Sequence, residues 1–165
     1  MMDISELAKA LPQKMAEAER YIEQDLPDEI GVVAVEHFKE NFRLEGYVDE
    51  LLQPWQEVKR RAPSSPWFGR SGQTGKYRPE RASAPILHGE TRELANATRY
   101  TRITNGVRIL NEKPYAAVHN EGLPAKVFGK TPFTMPKRPF IGPSKALFKK
   151  LNQDIKERLM EILKR

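Results

Sequence analysis

The chain has no cysteine, which rules out disulfides, thiolate metal ligands and thiol nucleophiles. Its three histidines, His37, His88 and His119, fall in separate segments. None has the i, i+4 spacing that sets two metal ligands on one helix face. There is no glycine-rich phosphate loop and no Gly-x-Ser-x-Gly nucleophile elbow. No apolar run approaches the ~20 residues that span a bilayer, and the first residues are acidic rather than signal-like. These absences predict a soluble chain made in a cytoplasm, with no cofactor, metal or membrane partner. His119 with Glu121 is the one pair that suggests an active site. Two residues apart at a helix end, they could orient each other for hydrolysis, but they lack a nucleophile and a pocket. The expectation is a protein without enzymatic activity.

Charge is present in quantity, but unevenly. The net +6 joins a segment 1–57 with fourteen acids and five bases (net −9) to a segment 58–165 with net +15. Such a chain can associate head to tail with its copies, offer its basic part to nucleic acid, or lay its acidic helices on its own basic part. At 165 residues it is long enough for one domain with a real core.

Asp3 and Glu6 form a capping-box pattern ahead of Ile4, Leu7, Leu11, Met15, Ala18 and Ile22, whose spacing predicts a helix over 4–24. Pro12 should bend it near Leu11. Its narrow apolar face suits a neighbouring subunit, so residues 1–25 form a candidate interaction arm on a single domain, 26–165. Pro27 at a first helical position, with Asp28 and Glu29 behind it, starts a second helix. Ile30, Val33, Ala34, His37, Phe38, Asn41 and Phe42 share one stripe, mostly apolar, and Gly46 is the expected C-cap. Tyr47, Val48, Leu51, Leu52 and Trp55 then form a packed excursion.

Residues 59–85 carry seven bases, one acid, four prolines and three glycines with no apolar period. They should form a long mobile loop. Arg60, Arg61, Trp67, Arg70, Lys76 and Arg78 are its candidate contacts. Aromatics among cations suit stacked bases and phosphates, and equally suit a loop that orders on a protein. Beyond it, Thr91–Thr98 reads as one or two helical turns. Asn105-Gly106, between Tyr100–Thr104 and Val107–Leu110, predicts a β-hairpin.

The segment Pro114–Ser144 organises the rest. Tyr115 and Ala116 open a short helix through His119 and Glu121, which Gly122 ends. A loop 123–137 forms a candidate second hairpin. Arg138-Pro139-Phe140-Ile141-Gly142-Pro143-Ser144 then leads into a helix bearing Leu147, Phe148, Leu151, Ile155, Leu159 and Ile162, with Ser144 as N-cap. Tyr115 and Phe140 are expected to be buried together, anchoring this segment to the hairpin.

This ordered set, Tyr-Ala…His-Asn-Glu-Gly and then Arg-Pro-Phe-Ile-Gly-Pro-Ser before an amphipathic helix, resembles the phage virion morphogenesis (tail completion) family. Phe38 to Trp55, a Phe-rich helix leading through a Gly-aromatic step to a Trp, resembles it too. So does the step at Leu87–Thr98, although Gly89-Glu90-Thr91 and Ala97-Thr98 depart from the family's order. The resemblance covers residues 36–55 and 86–155, leaving the N-terminal helix and the basic loop outside its pattern. It implies an α+β fold, a small antiparallel sheet built on a central hairpin and flanked by N-terminal helices and a C-terminal amphipathic helix. It also implies a structural role in the virion, with assembly in the host cytoplasm: completing the tail or joining tail to head, encoded by a phage or prophage. Phage tail or connector proteins would be the partners, with a homo-oligomeric ring as a possible form. Tyr115, Ala116, His119, Glu121, Gly122, Arg138, Pro139 and Phe140 would then be structural motif residues. The rival reading is a basic nucleic-acid-binding protein that uses loop 59–85 and the C-terminal half.

Overall fold

The computed structural model describes residues 4–72, 74–127 and 129–164. The fold is α+β. Helix α1 (Ile4–Arg20) runs on through a π-helical turn at Tyr21–Asp25 into α2 (Leu26–Leu44). Pro12 removes one helical donor without ending α1, and the irregularity begins nine residues later. There Tyr21 is tucked inward, its hydroxyl donating to Glu29 at 2.8 Å. Burial and that carboxylate push the Tyr21 phenol up to about 12. Leu11, Met15 and Ile22, on the narrow apolar face read from the sequence, are exposed. The arm instead leans on the C-terminal helix α5 (Lys145–Lys164), with Lys14 Nζ donating to Leu163 O at 2.6 Å and Arg158 over the Tyr21 ring.

Three two-stranded antiparallel ladders follow: β1 (Gly46–Val48) with β2 (Leu52–Pro54), β3 (Thr98–Ile103) with β4 (Gly106–Asn111), and β5 (Pro124–Val127) with β6 (Thr131–Thr134). The central hairpin β3–β4 is the one on which α2 lies. Gly31 permits that approach, because a Cβ there would meet the Tyr100 ring at 2.4 Å. The register pairs Ile103 with Gly106, so the turn residues are Thr104 and Asn105, one position before the Asn-Gly pair read from sequence. Gly106 takes φ 146 as the first residue of β4, a backbone angle few other residues tolerate. Short helices α3 (Glu93–Asn96) and α4 (Ala116–Glu121) lead into and out of the hairpin.

Two apolar clusters form the core. Phe42, Trp55, Ile86, Leu94, Ala116 and Phe140 make one; Ala34, Phe38, Tyr47 and Leu147 make the other, and Ile141 packs against both. Side-chain to backbone bonds tie the first third of the chain to the last, three running from the first third and one returning from Ser144. Asn41 Nδ2 donates to Phe140 O (3.1 Å), Tyr47 Oη to Pro143 O (2.6 Å), Trp55 Nε1 to Pro139 O (2.7 Å) and Ser144 Oγ to Val48 O (2.8 Å). Prolines and glycines leave this segment's carbonyls without a ladder, and buried carbonyls require donors. Ser144 also accepts from Leu147 N at 3.1 Å, the N-cap bond read from sequence. Phe148, placed on the inner stripe by its spacing, is 69% exposed. Among the described residues no helix is long and apolar enough to cross a membrane.

Candidate functional site

The site begins where α2 ends. Glu45, not Gly46, takes the left-handed conformation (φ 51) that closes the helix. The reason is its side chain: Glu45 holds Arg61 and accepts from Ile86 N at 2.6 Å. These contacts keep its carboxyl below the usual range, the bond from Arg61 first. Gly46 is needed for another purpose, since a Cβ there would lie 2.7 Å from Gln53 O.

Anchored at Ile86, the backbone winds through Leu87, Gly89 and Arg92, all at positive φ. The resulting cleft of about 340 Å³ lies between residues 87–94, Arg60 and Arg81 of the basic loop, and Tyr115, His119 and Arg138 of the motif segment. Arg60 donates to Ala84 O (2.6 Å) and Pro85 O (2.7 Å). Arg138 donates to Gln56 O through Nε (3.1 Å) and Nη2 (2.9 Å), and Arg81 donates to Gly89 O. Burial, with repulsion from Arg81 and Arg61, pulls Arg60 down to about 10. Burial likewise lowers Arg138. Both cleft histidines are held below the usual value, His119 by burial and then Arg138, His88 by burial and then Arg92. They are therefore neutral near pH 7.

The structure distributes the sequence-derived residues unevenly. Phe140 is 1% exposed, in ring contact with Phe42 at 4.9 Å. Ala116 and Arg138 are buried, and Pro139 supplies the carbonyl for Trp55. Tyr115 is not buried beside Phe140. It is 40% exposed at the cleft, edge-on to His119, its hydroxyl 3.3 Å from Glu93. A helix N-cap position leaves its ring outside the first turn, whereas Ala116, one residue on, points to the core. Glu121 pairs with Lys137 at 3.6 Å, so it and His119 do not form a unit.

The Gly122 position is tightly determined. It has φ 71, and a Cβ would sit 2.9 Å from Lys137 Cβ and 3.0 Å from Lys137 N. Gly122→Ala should lose at least ~1–2 kcal/mol from backbone strain alone. An unchanged urea midpoint would show that α4 ends differently.

Among its described residues the basic loop contains no regular element beyond short 3₁₀ turns at Lys59–Arg61 and Pro79–Ala82 and a bridge between Arg70 and Tyr77. Its candidate contacts separate into two groups. Arg60 and Arg61 are engaged by the fold's own carbonyls and by Glu45, because the loop's prolines leave acceptors that only side chains can meet. Arg70 caps Pro66 O and Gly75 O within the loop but stays exposed, as do Lys76 and Arg78. Arg78 is 4.0 Å from Glu90. Trp67, 41% exposed, lines a broader cleft of about 600 Å³ with Lys126 and Phe133 of the β5–β6 hairpin and Pro136 beyond it.

Sequence reasoning missed His88, Leu87 and Arg81 as parts of one cleft. The signal available was weak: His88-Gly89 in a stretch without period.

Among the described residues no group of three or more His, Asp or Glu could hold a metal. The arrangement is a scaffold of buried aromatics supporting charged and apolar clefts in a mixed α+β fold. A model of the phage virion morphogenesis family matches residues 55–164, two thirds of the chain, and the protein belongs to that family. No curated protein and no solved structure matches it. The match takes in loop 59–85, which lies outside the motif resemblance, and it begins at Trp55, after most of the first stretch of that resemblance.

Proposed function

We propose that this protein acts without catalysis to complete the phage tail or to join tail to head, as a component of the virion assembled in the host cytoplasm from a phage or prophage genome. The family match carries the reading. The way the motif residues are used supports it: Arg138, Pro139 and Phe140 are taken up in packing, and large apolar side chains such as Leu51, Trp67 and Phe148 remain on the surface. Surfaces, not reactive groups, are what an assembly protein needs.

The partners in this reading are tail or connector proteins, with copies of the chain arranged in a ring. Residues 1–25 serve as the interaction arm of a single domain, 26–165, and loop 59–85 orders against the partner. Charge segregation sets orientation and rate while apolar contacts supply affinity, since exposed ion pairs contribute only ~0–1 kcal/mol each.

Complementation tests this directly. Phage made without the protein should accumulate as separate heads and tails, and adding the purified protein should restore joined, infectious particles. Normally joined virions in its absence would overturn the reading. Steeply salt-dependent DNA binding by the free protein would then favour the nucleic-acid alternative.

A further inference from the structure

We infer that the cleft between Arg60, Arg81 and Arg138 is a receptor for the carboxylates of an acidic segment of another protein chain. The inference rests on the assembly reading above and names the chemistry of its partner.

The charges around the cleft do not balance. Glu45 and Glu57, the acids nearest to Arg60, both bond Arg61. On the opposite wall Glu90 is taken by Ser71 (3.1 Å) and Arg78, and Glu93 by Lys113 (2.9 Å) and Tyr115. Arg60, Arg81 and Arg138 are left with backbone carbonyls as their hydrogen-bonded partners. Carbonyls orient a guanidinium but do not neutralise it, and buried charges are as a rule paired.

Further polar atoms in the same walls are unpartnered. Arg60 Nε and Arg81 Nε are buried with no hydrogen-bond partner, as are Nδ1 of His119 and both ring nitrogens of His88, one of which carries the proton of the neutral ring. A planar carboxylate can take two parallel N–H bonds from one guanidinium. The space, about 340 Å³, fits one or two acidic side chains.

The form of the anion follows from the walls. Leu87, Leu94 and Val58 give the cleft an apolar floor, suited to the methylenes of Glu. Glu90 and Glu93 on its rim repel a continuous row of phosphates while tolerating a single inserted carboxylate. A protein segment therefore fits, and a nucleic-acid strand does not.

The test uses the full-length protein and the peptide acetyl-(Glu)₄-amide, followed by NMR through the Arg Nε–Hε and His ring signals. Saturable shifts of Arg60, Arg81, Arg138, His88 and His119 are expected. The matched (Gln)₄ peptide should bind at least ten-fold more weakly. Arg81→Gln, chosen because Arg81 makes a single bond to Gly89, should weaken (Glu)₄ binding five-fold or more, and Lys76→Gln, outside the cleft, should leave it unchanged. Absence of shifts in the wild-type protein, equal binding of both peptides, or equal losses in the two variants would overturn the proposal. So would preferential saturation of the same signals by a twelve-residue oligothymidine, which would assign the cleft to nucleic acid. Because none of these measurements needs phage, a failure here leaves the complementation result standing, and a failure there leaves this one readable.

Discussion

Phe140→Ala should lose about 3–5 kcal/mol of unfolding free energy, the cost of truncating a fully buried aromatic. The ring is 1% exposed, stacked obliquely on Phe42 in the cluster that also holds Trp55, Ile86, Leu94 and Ala116. Those six residues come from α2, the β2 end, the cleft backbone, α3, α4 and the motif segment, so no single element can move in to fill the void. Phe42 and Trp55, edge-to-face at 5.7 Å, would lose the surface against which they are set. Urea titration gives the number. A loss under ~1 kcal/mol would place Phe140 at the surface and remove the anchor of the motif segment.

Asn41→Leu should be comparably damaging for the opposite reason. Asn41 is fully buried, its Nδ2 donating to Phe140 O and its Oδ1 accepting from Val48 N, both at 3.1 Å. One amide thus ties α2 to β1 and to the motif segment at once. Leucine fits the volume but leaves a buried N–H and a buried carbonyl unmet. At ~1–3 kcal/mol for each, the loss is ~2–6 kcal/mol. Asn41→Asp separates the two bonds, since it retains the acceptor for Val48 N and gives up the donor. A urea midpoint for Asn41→Leu within error of wild type would mean that water meets both groups and that the amide is not a tie.

Periodic and punctuated stretches are legible in the amino-acid sequence alone. The stripe of α2, the capped C-terminal helix, the two hairpins at 98–111 and 124–134, the His-Asn-Glu-Gly helix end and the burial of Phe140 all rest on local rules, and all are present. What local rules miss depends on partners far along the chain. Glu45 rather than Gly46 closes α2 because Arg61 and Ile86 compensate its backbone strain, and no local signal marks them. Phe148 has helical spacing with Leu147 and Leu151, but one residue's rotation, about 100° around a helix, separates the buried Leu147 from the exposed ring. Nor could the basic loop reveal that Arg60 turns inward while Arg78 stays out. The cleft is the extreme case, because its cations come from the two ends of the basic loop and from the motif segment, which only the finished fold brings together.

The bonds from Asn41, Tyr47 and Trp55 to the motif segment span 99, 96 and 84 positions of chain. Such long closures make a high contact order, which slows folding because loop entropy is lost before contacts reward it. They also set an order of events during synthesis. At ~5–20 residues per second, α2 and Trp55 emerge roughly 5–20 s before the residues that cover them. In that interval Phe38, Phe42 and Trp55 are apolar surface on a nascent chain, open to chaperones. A ribosome that stops before Pro143 releases a polypeptide with α1 to α4 but without its clasp or α5. The apolar face of α2 and Trp55 is thus covered only once residues 139–143 have been made.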